Sequence, residues 1–117
     1  MEATFKKKVT LEERQTMSGE MKAKYPTKVP IFFSRAAGST LPNLDKNKCM
    51  TPCIARMSDV VCGLRQKLSL SKDLSVFLFA PNDEVLSGDS FVLEVYEGRK
   101  DVDGFLYLQY GEQQALG

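Results

Sequence analysis

The 117-residue sequence contains no histidine. Histidine is the side chain most often used as a general base and as a metal ligand. A nucleophilic cysteine that relies on a histidine partner cannot therefore be built within this chain. The sequence also has no Gly-rich loop followed by Lys and Ser or Thr, the pattern that cradles phosphates. We therefore predict that the chain is not an enzyme, that it holds no metal and that it uses no cofactor.

Cysteines are few, and their number is odd: Cys49, Cys53 and Cys62. An odd count argues against a disulfide framework and favours a reducing, cytoplasmic setting. Cys49 and Cys53 lack a second pair of metal ligands at a suitable spacing. We expect all three cysteines to be small buried or half-buried apolar side chains.

Long apolar runs are absent as well. The longest, residues 76–81 and 105–108, are far too short to span a bilayer. Residues 1–8 lack the apolar core of a secretion signal. A chain of this length is expected to form one domain around one core.

The net charge of +1 hides an uneven distribution of charge. Residues 1–70 hold 13 Lys and Arg against 6 Asp and Glu, a balance of +7, whereas residues 71–117 hold 3 against 9, a balance of −6. The basic part could bind acidic peptides, acidic lipid headgroups or nucleic acid. A surface whose two halves partly neutralise each other on folding is equally consistent with these counts.

Two helices are indicated by local signals. Thr10 and Glu13 have the spacing of a capping box, and Pro26 cannot continue a helix, so a helix is predicted from Thr10 to about Lys24. A second helix is predicted from apolar residues at helical spacing. These residues are Met57, Val60, Val61, Leu64 and Leu68.

Four strands are predicted. In residues 28–35, Val29, Ile31 and Phe33 share one face, and Pro30 and Phe32 share the other. Residues 48–51 form a second strand that ends at Pro52 and pairs with the first as a hairpin, which would leave Phe32 and Met50 on accessible surface. Residues 76–80 are nearly all apolar, which predicts a central strand buried on both faces. Residues 105–110 form the last strand, and residues 90–97 are either a short helix or an edge strand.

This order of elements is typical of an α+β, ubiquitin-like β-grasp fold. It predicts a four-stranded mixed sheet with a long helix across it, preceded by two N-terminal helices. We assign residues 1–27 to an N-terminal helical extension and residues 28–117 to the β-grasp domain, with a flexible tail over 111–117. The tail is polar and ends at Gly117, which lets the main chain enter a narrow channel because no Cβ blocks it. A frayed terminus is the alternative.

Three smaller features are interpreted structurally. Phe5 and the lysines at 6–8 are read as an unstructured basic arm, with contact to membrane or tubulin as the alternative. Asp101 and Asp103 are read as solvated loop carboxylates. Arg65 is expected to make a structural contact.

Three motifs carry a resemblance to a known family: residues 24–31 (KYPTKVPI), 44–48 (LDKNK) and 103–107 (DGFLY). They resemble the autophagy ubiquitin-like modifiers, which include the GABA-receptor-associated protein and the microtubule-associated light chains. The likeness runs from about Phe5 to Gly117. It implies that E1-like and E2-like enzymes activate a C-terminal glycine and join it to phosphatidylethanolamine, and that a cysteine protease performs processing and delipidation.

Gly117 matches the conjugated glycine of this family. The sequence already ends at this glycine, so we expect either that no processing is needed or that the chain is in its mature form. Leu116 stands where the family usually has an aromatic residue.

The resemblance also implies binding of short motifs in which an aromatic and an aliphatic residue are separated by two positions. Such a peptide adds as a strand to a sheet edge and fills two pockets. The matching first-pocket residues are Met17, Met21, Pro30, Phe32, Lys48, Met50 and Phe105. The matching second-pocket residues are Cys49, Thr51, Pro52, Ala55, Val60 and Gly63, and their small side chains predict an altered preference at the aliphatic position. The lysines that would face an acidic flank are Lys28, Lys46 and Lys48.

The sequence therefore predicts a modifier that is lipidated through Gly117, takes part in autophagosome formation and recruits receptors and adaptors that carry such motifs. It would reside in the cytoplasm and, when lipidated, on the autophagosome membrane. The alternative is a non-conjugated peptide-binding adaptor in vesicle trafficking or on microtubules. Nucleic acid is not an expected partner, because the basic half lacks aromatic base-stacking motifs.

Overall fold

Residues 2–112, the part of the chain that the computed structural model describes, form four helices and four strands. The predicted lipidation residue Gly117 and the rest of residues 113–117 lie outside the described residues. The elements in order are α1 (Glu2–Lys8), α2 (Leu11–Lys24), β1 (Lys28–Arg35), β2 (Lys48–Pro52), α3 (Met57–Leu68), β3 (Phe77–Phe79), α4 (Val92–Arg99) and β4 (Leu106–Gly111). Within residues 2–112, none of these helices has the length and apolar character needed to cross a membrane.

The four strands form one mixed sheet in the order β2-β1-β4-β3. Strand β1 pairs antiparallel with β2 and parallel with β4, and β4 pairs antiparallel with β3. The predicted α+β, ubiquitin-like β-grasp fold with a mixed four-stranded sheet is confirmed. The last strand extends one residue beyond the predicted range, so Gly111 is a buried strand residue and not the start of a tail.

The prediction that residues 76–80 form a central strand is wrong. Strand β3 covers only Phe77–Phe79 and lies at the edge of the sheet. A loop covers its outer side: the Leu86 N–H donates to the Leu78 carbonyl at 2.9 Å, and Val85 bridges to Phe79. An apolar run is therefore buried here by a loop, and the two central strands of the sheet are β1 and β4.

Helix α3 packs across one face of the sheet, as its spacing predicts. Its buried residues Met57, Val60, Leu64 and Leu68 join the β1 residues Val29, Ile31 and Phe33 in the main hydrophobic core. Residues 90–97, for which the sequence left two alternatives, lie mainly in α4. Its buried residues are Val92, Val95 and Tyr96, which share one face of a helix.

Helices α1 and α2 pack on the opposite face of the sheet. The predicted capping box is confirmed: the Glu13 N–H donates to Thr10 Oγ1 at 3.2 Å, and the Thr10 N–H donates to Glu13 Oε1 at 3.3 Å. The interpretation of residues 5–8 as an unstructured arm is wrong, because they belong to α1. Glu2 in the first turn and lysines in the last turn complement the helix dipole.

Lys6 ties α1 to the loop before β4. Its ammonium lies 3.0 Å from Asp101 Oδ1 and 3.2 Å from Glu2. Partial burial acts to raise the pKa of Asp101, but hydrogen bonds from Lys6 and the Asp103 N–H outweigh it and hold the pKa below its usual value. The contribution of Asp101 to stability is therefore present at neutral pH and is lost as the pH falls through that lowered pKa.

Asp103, predicted to be solvated, is only 1% exposed. Arg14 Nε donates to its Oδ2 at 2.9 Å, the Tyr107 hydroxyl donates to the same oxygen, and the Phe105 N–H donates to Oδ1 at 2.8 Å. Burial, together with the bond to Asp103, raises the pKa of Tyr107, so this hydroxyl stays protonated and can donate. A loop carboxylate can be buried here because it is fully paired.

A close approach between α2 and this loop requires a glycine. Ser18 Oγ donates to the Asp103 carbonyl at 2.5 Å, and Gly104 adopts a φ of +90°. A Cβ on Gly104 would collide with Ser18 Oγ. Any other residue would strain the backbone and force the Ser18 side chain to shift.

We predict that Asp103→Asn lowers the free energy of unfolding by about 3 kcal/mol, because it leaves the buried Arg14 guanidinium without its charge partner. The matched control is Asp101→Asn in the same loop, which removes a partly exposed ion pair and should cost at most about 1 kcal/mol. Urea unfolding of the three proteins provides the measurement. Equal losses for the two variants would contradict the assignment of Asp103 as the buried anchor.

Candidate functional site

Strand β2 lies at one edge of the sheet, with β1 as its strand neighbour in the described part of the chain. The N–H and C=O groups along its outer side can accept a further strand. In the β1–β2 register, Cys49 lies opposite Ile31 and Thr51 lies opposite Val29, which places both on the α3 face of the sheet. Residues Lys48 and Met50 therefore lie on the face that carries α1 and α2.

An added peptide strand would use both faces. Successive side chains of a strand alternate, so residues at positions i and i+3 point to opposite faces and lie about 10 Å apart. A motif whose anchors are separated by two residues would therefore direct one anchor towards α2 and the other towards α3. The two predicted pockets lie on these two faces.

The site on the α2 face contains an aromatic cluster. Phe32 is 2% exposed and Phe105 is 0% exposed, and Met17 and Met21 pack against them. Pro30 is fully buried, Met50 is half-buried and Lys48 is exposed. The structure therefore groups the seven predicted first-pocket residues on one face of the hairpin and the neighbouring elements.

This aromatic site is filled by the chain's own Phe5. The Phe5 ring stacks on Phe32 with centroids 4.9 Å apart and meets the Phe105 ring edge-on at 5.8 Å. The Lys48 ammonium lies 5.0 Å from the centroid of Phe5, on the outer side of the cluster. The expectation that Phe32 lies on accessible surface is wrong, because Phe5 covers it.

The site on the α3 face is an open cavity of about 280 Å³ between β2 and α3. Apart from the chain neighbours of Gly63 and the backbone of its own helix, no atom of the described residues lies within 4 Å of the position that a Cβ on Gly63 would occupy, so the missing side chain adds to the open space. All six predicted second-pocket residues line this cavity: Cys49, Thr51, Pro52, Ala55, Val60 and Gly63. The remaining lining residues are Phe33, Met50, Asp59, Leu64 and Lys67.

The lysines around β2 do not form one cluster. Lys46 and Lys48 are exposed near the start of the strand. Lys28 lies opposite Pro52, at the other end of the hairpin, with its ammonium 5.4 Å from the Tyr25 ring. Lys67 adds a positive charge at the cavity, where its Nζ lies 3.4 Å from Cys49 Sγ.

Two smaller expectations have different outcomes. Arg65 makes a structural contact as predicted, because its guanidinium donates to the carbonyls of Leu74 and Ser71. Cys49 and Cys53 are half-buried, but Cys62 is exposed, contrary to expectation. The buried side of α3 runs through Val60 and Leu64, which leaves Cys62 between them on the outer side.

Sequence reasoning missed Phe5 and Lys67 as members of these sites. Lys67 follows Val60 and Gly63 by seven and four residues, so helical spacing places it on the cavity side of α3. Phe5 carries a weaker signal, a single aromatic residue among lysines. Its place depends on a tertiary contact that no local pattern specifies.

Comparisons with known proteins converge on one family. The family model described as "Autophagy protein Atg8 ubiquitin like" matches residues 13–117. The chain is 33% identical to Autophagy-related protein 8e of Arabidopsis thaliana, covering 97% of this chain and 92% of that protein. It is 36% identical to Autophagy-related protein 8D of Oryza sativa subsp. japonica, covering 97% and 96%.

A solved structure gives the same result for the three-dimensional arrangement. The crystal structure of Trypanosoma brucei ATG8 superposes with a TM-score of 0.89 at 28% sequence identity. The match covers 97% of each chain.

We predict that Phe5→Ala lowers the free energy of unfolding by about 2 kcal/mol, because a half-buried ring and its aromatic contacts are lost. Lys7→Ala, on the exposed side of the same helix, is the control and should change stability by less than about 0.5 kcal/mol. Urea unfolding provides the measurement. A Phe5→Ala variant as stable as the Lys7→Ala variant would show that the ring does not seal the cluster.

Proposed function

The chain belongs to the Atg8 family of ubiquitin-like autophagy proteins, and from this premise we propose that it is a lipid-conjugated modifier that recruits motif-bearing receptors. Gly117 is the residue joined to phosphatidylethanolamine by E1-like and E2-like enzymes, and a cysteine protease performs processing and delipidation. The protein moves between the cytoplasm and the autophagosome membrane. The observation that carries the recruiting role is the open edge of β2, with one side-chain site on each face.

The conjugating role is supported by the extent of the family match. The match runs to residue 117, so it includes the terminal glycine. The chain is held to the body of the fold up to Glu112, whose carboxylate accepts hydrogen bonds from Thr40, including one of 2.8 Å from its N–H. Hydrogen bonds from Thr40 and Ser39 lower the pKa of Glu112 to about 2, so the carboxylate is charged at neutral pH.

The recruiting role is supported by the alternation of side chains along β2. Main-chain groups on the open edge provide affinity, and the two faces provide specificity for residues three positions apart. Lys46 and Lys48 near the start of β2 suit a peptide with acidic residues beside its motif. Exposed ion pairs of this kind contribute at most about 1 kcal/mol each. They therefore affect the association rate and the specificity of binding more than the affinity.

The Phe5 ring occupies the site on the α2 face that a peptide anchor would fill. A peptide anchor can enter the aromatic cluster only when the Phe5 ring leaves Phe32 and Phe105. The ring therefore acts as an intramolecular competitor for the first site, and the measured affinity of a peptide includes the free energy of displacing it. The cavity on the α3 face carries no such condition.

We predict that the native protein gives a lipidated product with Atg8-family E1-like and E2-like enzymes on vesicles that contain phosphatidylethanolamine, and that Gly117→Ala gives none. The chemistry needs an unhindered terminal carboxylate at that residue. Mobility on gels and the mass of the product provide the measurement. An Atg8-family protein that these enzymes lipidate serves as the positive control. If that control is lipidated and the native chain is not, conjugation is excluded and the non-conjugated adaptor in trafficking or on microtubules takes its place.

We also predict that Phe5→Ala binds an acidic peptide with an aromatic-x-x-aliphatic motif about tenfold more tightly than the native protein. The variant removes a competitor that costs the peptide about 1.4 kcal/mol, the equivalent of one factor of ten. Titration calorimetry provides the measurement, and Lys7→Ala should bind like the native protein. Weaker binding by Phe5→Ala would mean that the ring contributes to the peptide site instead of blocking it.

A further inference from the structure

The cavity between β2 and α3 has room and chemistry that an aliphatic anchor does not use. We propose that it binds an aromatic side chain, carried by an acidic peptide that adds as a strand to the open edge of β2. This inference rests on the proposed strand-addition function. It assigns the larger anchor of the peptide to the α3 face and leaves the α2 face to a smaller one.

The volume of the cavity suits an aromatic ring better than an aliphatic side chain. The cavity measures about 280 Å³, whereas an apolar cavity of about 150 Å³ is enough to bind benzene. A leucine or valine side chain would leave much of the space empty, and the lining atoms there would lack contact partners. An aromatic ring of Phe, Tyr or Trp would cover the walls more completely.

The lining also favours a ring. Cys49, whose side chain lies on the α3 face of β2, places its sulfur at the cavity. Sulfur atoms make favourable contacts with aromatic rings. The Lys67 ammonium, 3.4 Å from Cys49 Sγ, stands where it could meet the face of a ring as a cation–π partner. An aliphatic side chain gains neither interaction.

The other face gives an independent reason. Its aromatic site already holds Phe5, stacked 4.9 Å from Phe32, so an incoming ring would have to displace an equivalent ring. The cavity is open to a ring without any displacement. Because anchors three positions apart point to opposite faces, a peptide can place a ring in the cavity and a smaller residue beside Met50.

The charges near β2 indicate which residues should flank the aromatic anchor of the peptide. Lys46 and Lys48 are exposed next to the start of β2, and Lys67 stands at the cavity. Asp59 also lines the cavity, so a peptide along β2 meets its clearest positive charge at Lys46 and Lys48. Acidic residues beside the aromatic anchor would therefore be complementary in charge.

The test uses the full chain and two synthetic peptides that share an acidic flank and a Val anchor for the α2 face. At the position three residues beyond Val, one peptide carries Phe and the other Leu. We expect the Phe peptide to bind at least fivefold more tightly by titration calorimetry. We also expect the Ala55 and Val60 methyl resonances to shift upfield with the Phe peptide, because a ring seated in the cavity lies against them.

Cavity-filling variants sharpen the test. Gly63→Leu fills the cavity from the helix side and should remove the preference for Phe while leaving the fold intact, because leucine is a better helix former than glycine. Gly98→Leu on α4 is the matched control, since Gly98 also has open space at its missing Cβ outside its own helix backbone and does not line the cavity. It should bind both peptides like the native protein.

The outcomes separate the two proposals. Equal or tighter binding of the Leu peptide, without upfield methyl shifts for the Phe peptide, overturns the aromatic assignment and leaves strand addition standing. Binding of neither peptide to the native chain overturns both. A fivefold preference for Phe that survives Gly63→Leu would place the ring outside the cavity and would also overturn the assignment.

Discussion

The buried carboxylate of Asp103 holds the α2 face of the molecule together. It accepts hydrogen bonds from Arg14, Tyr107 and the Phe105 N–H, so its charge is compensated where water does not reach. Arg14 also donates to the carbonyl of Val9 at 2.6 Å, between α1 and α2. Because a buried charge without partners is strongly unfavourable, both helices are fixed relative to β4. The position of Phe5 over the aromatic cluster depends on this arrangement.

The two faces of β2 differ in what they offer to a ligand, although they share the same strand. On the α2 face the apolar side chains already pack against the Phe5 ring of the same chain. On the α3 face small side chains and a glycine leave open space between the strand and the helix. Main-chain hydrogen bonds at a strand edge do not distinguish one peptide sequence from another, so specificity must come from this difference between the faces.

Features with local signals were predictable from the sequence. The capping box at Thr10, the alternation along β1 and the apolar spacing of α3 each depend on residues close in the chain, and each is confirmed. The place of residues 76–80 was mispredicted because an apolar run cannot distinguish burial by a neighbouring strand from burial by a loop. Asp103 and Phe5 were misjudged because their partners are distant in sequence. The cavity residues followed from the family resemblance, whereas the volume they enclose required the fold.

The parallel pairing of β1 with β4 has a consequence for how the chain reaches its native state. Strand β1 ends at Arg35, and the neighbour on its inner side begins only at Leu106. A growing or truncated polypeptide that stops short of residue 106 contains the β1–β2 hairpin with the inner edge of β1 unpaired. An unpaired strand edge of this kind can pair with other nascent chains and aggregate. The sheet can be completed only after the final strand is made, and the edge of β1 must be shielded from other chains until then.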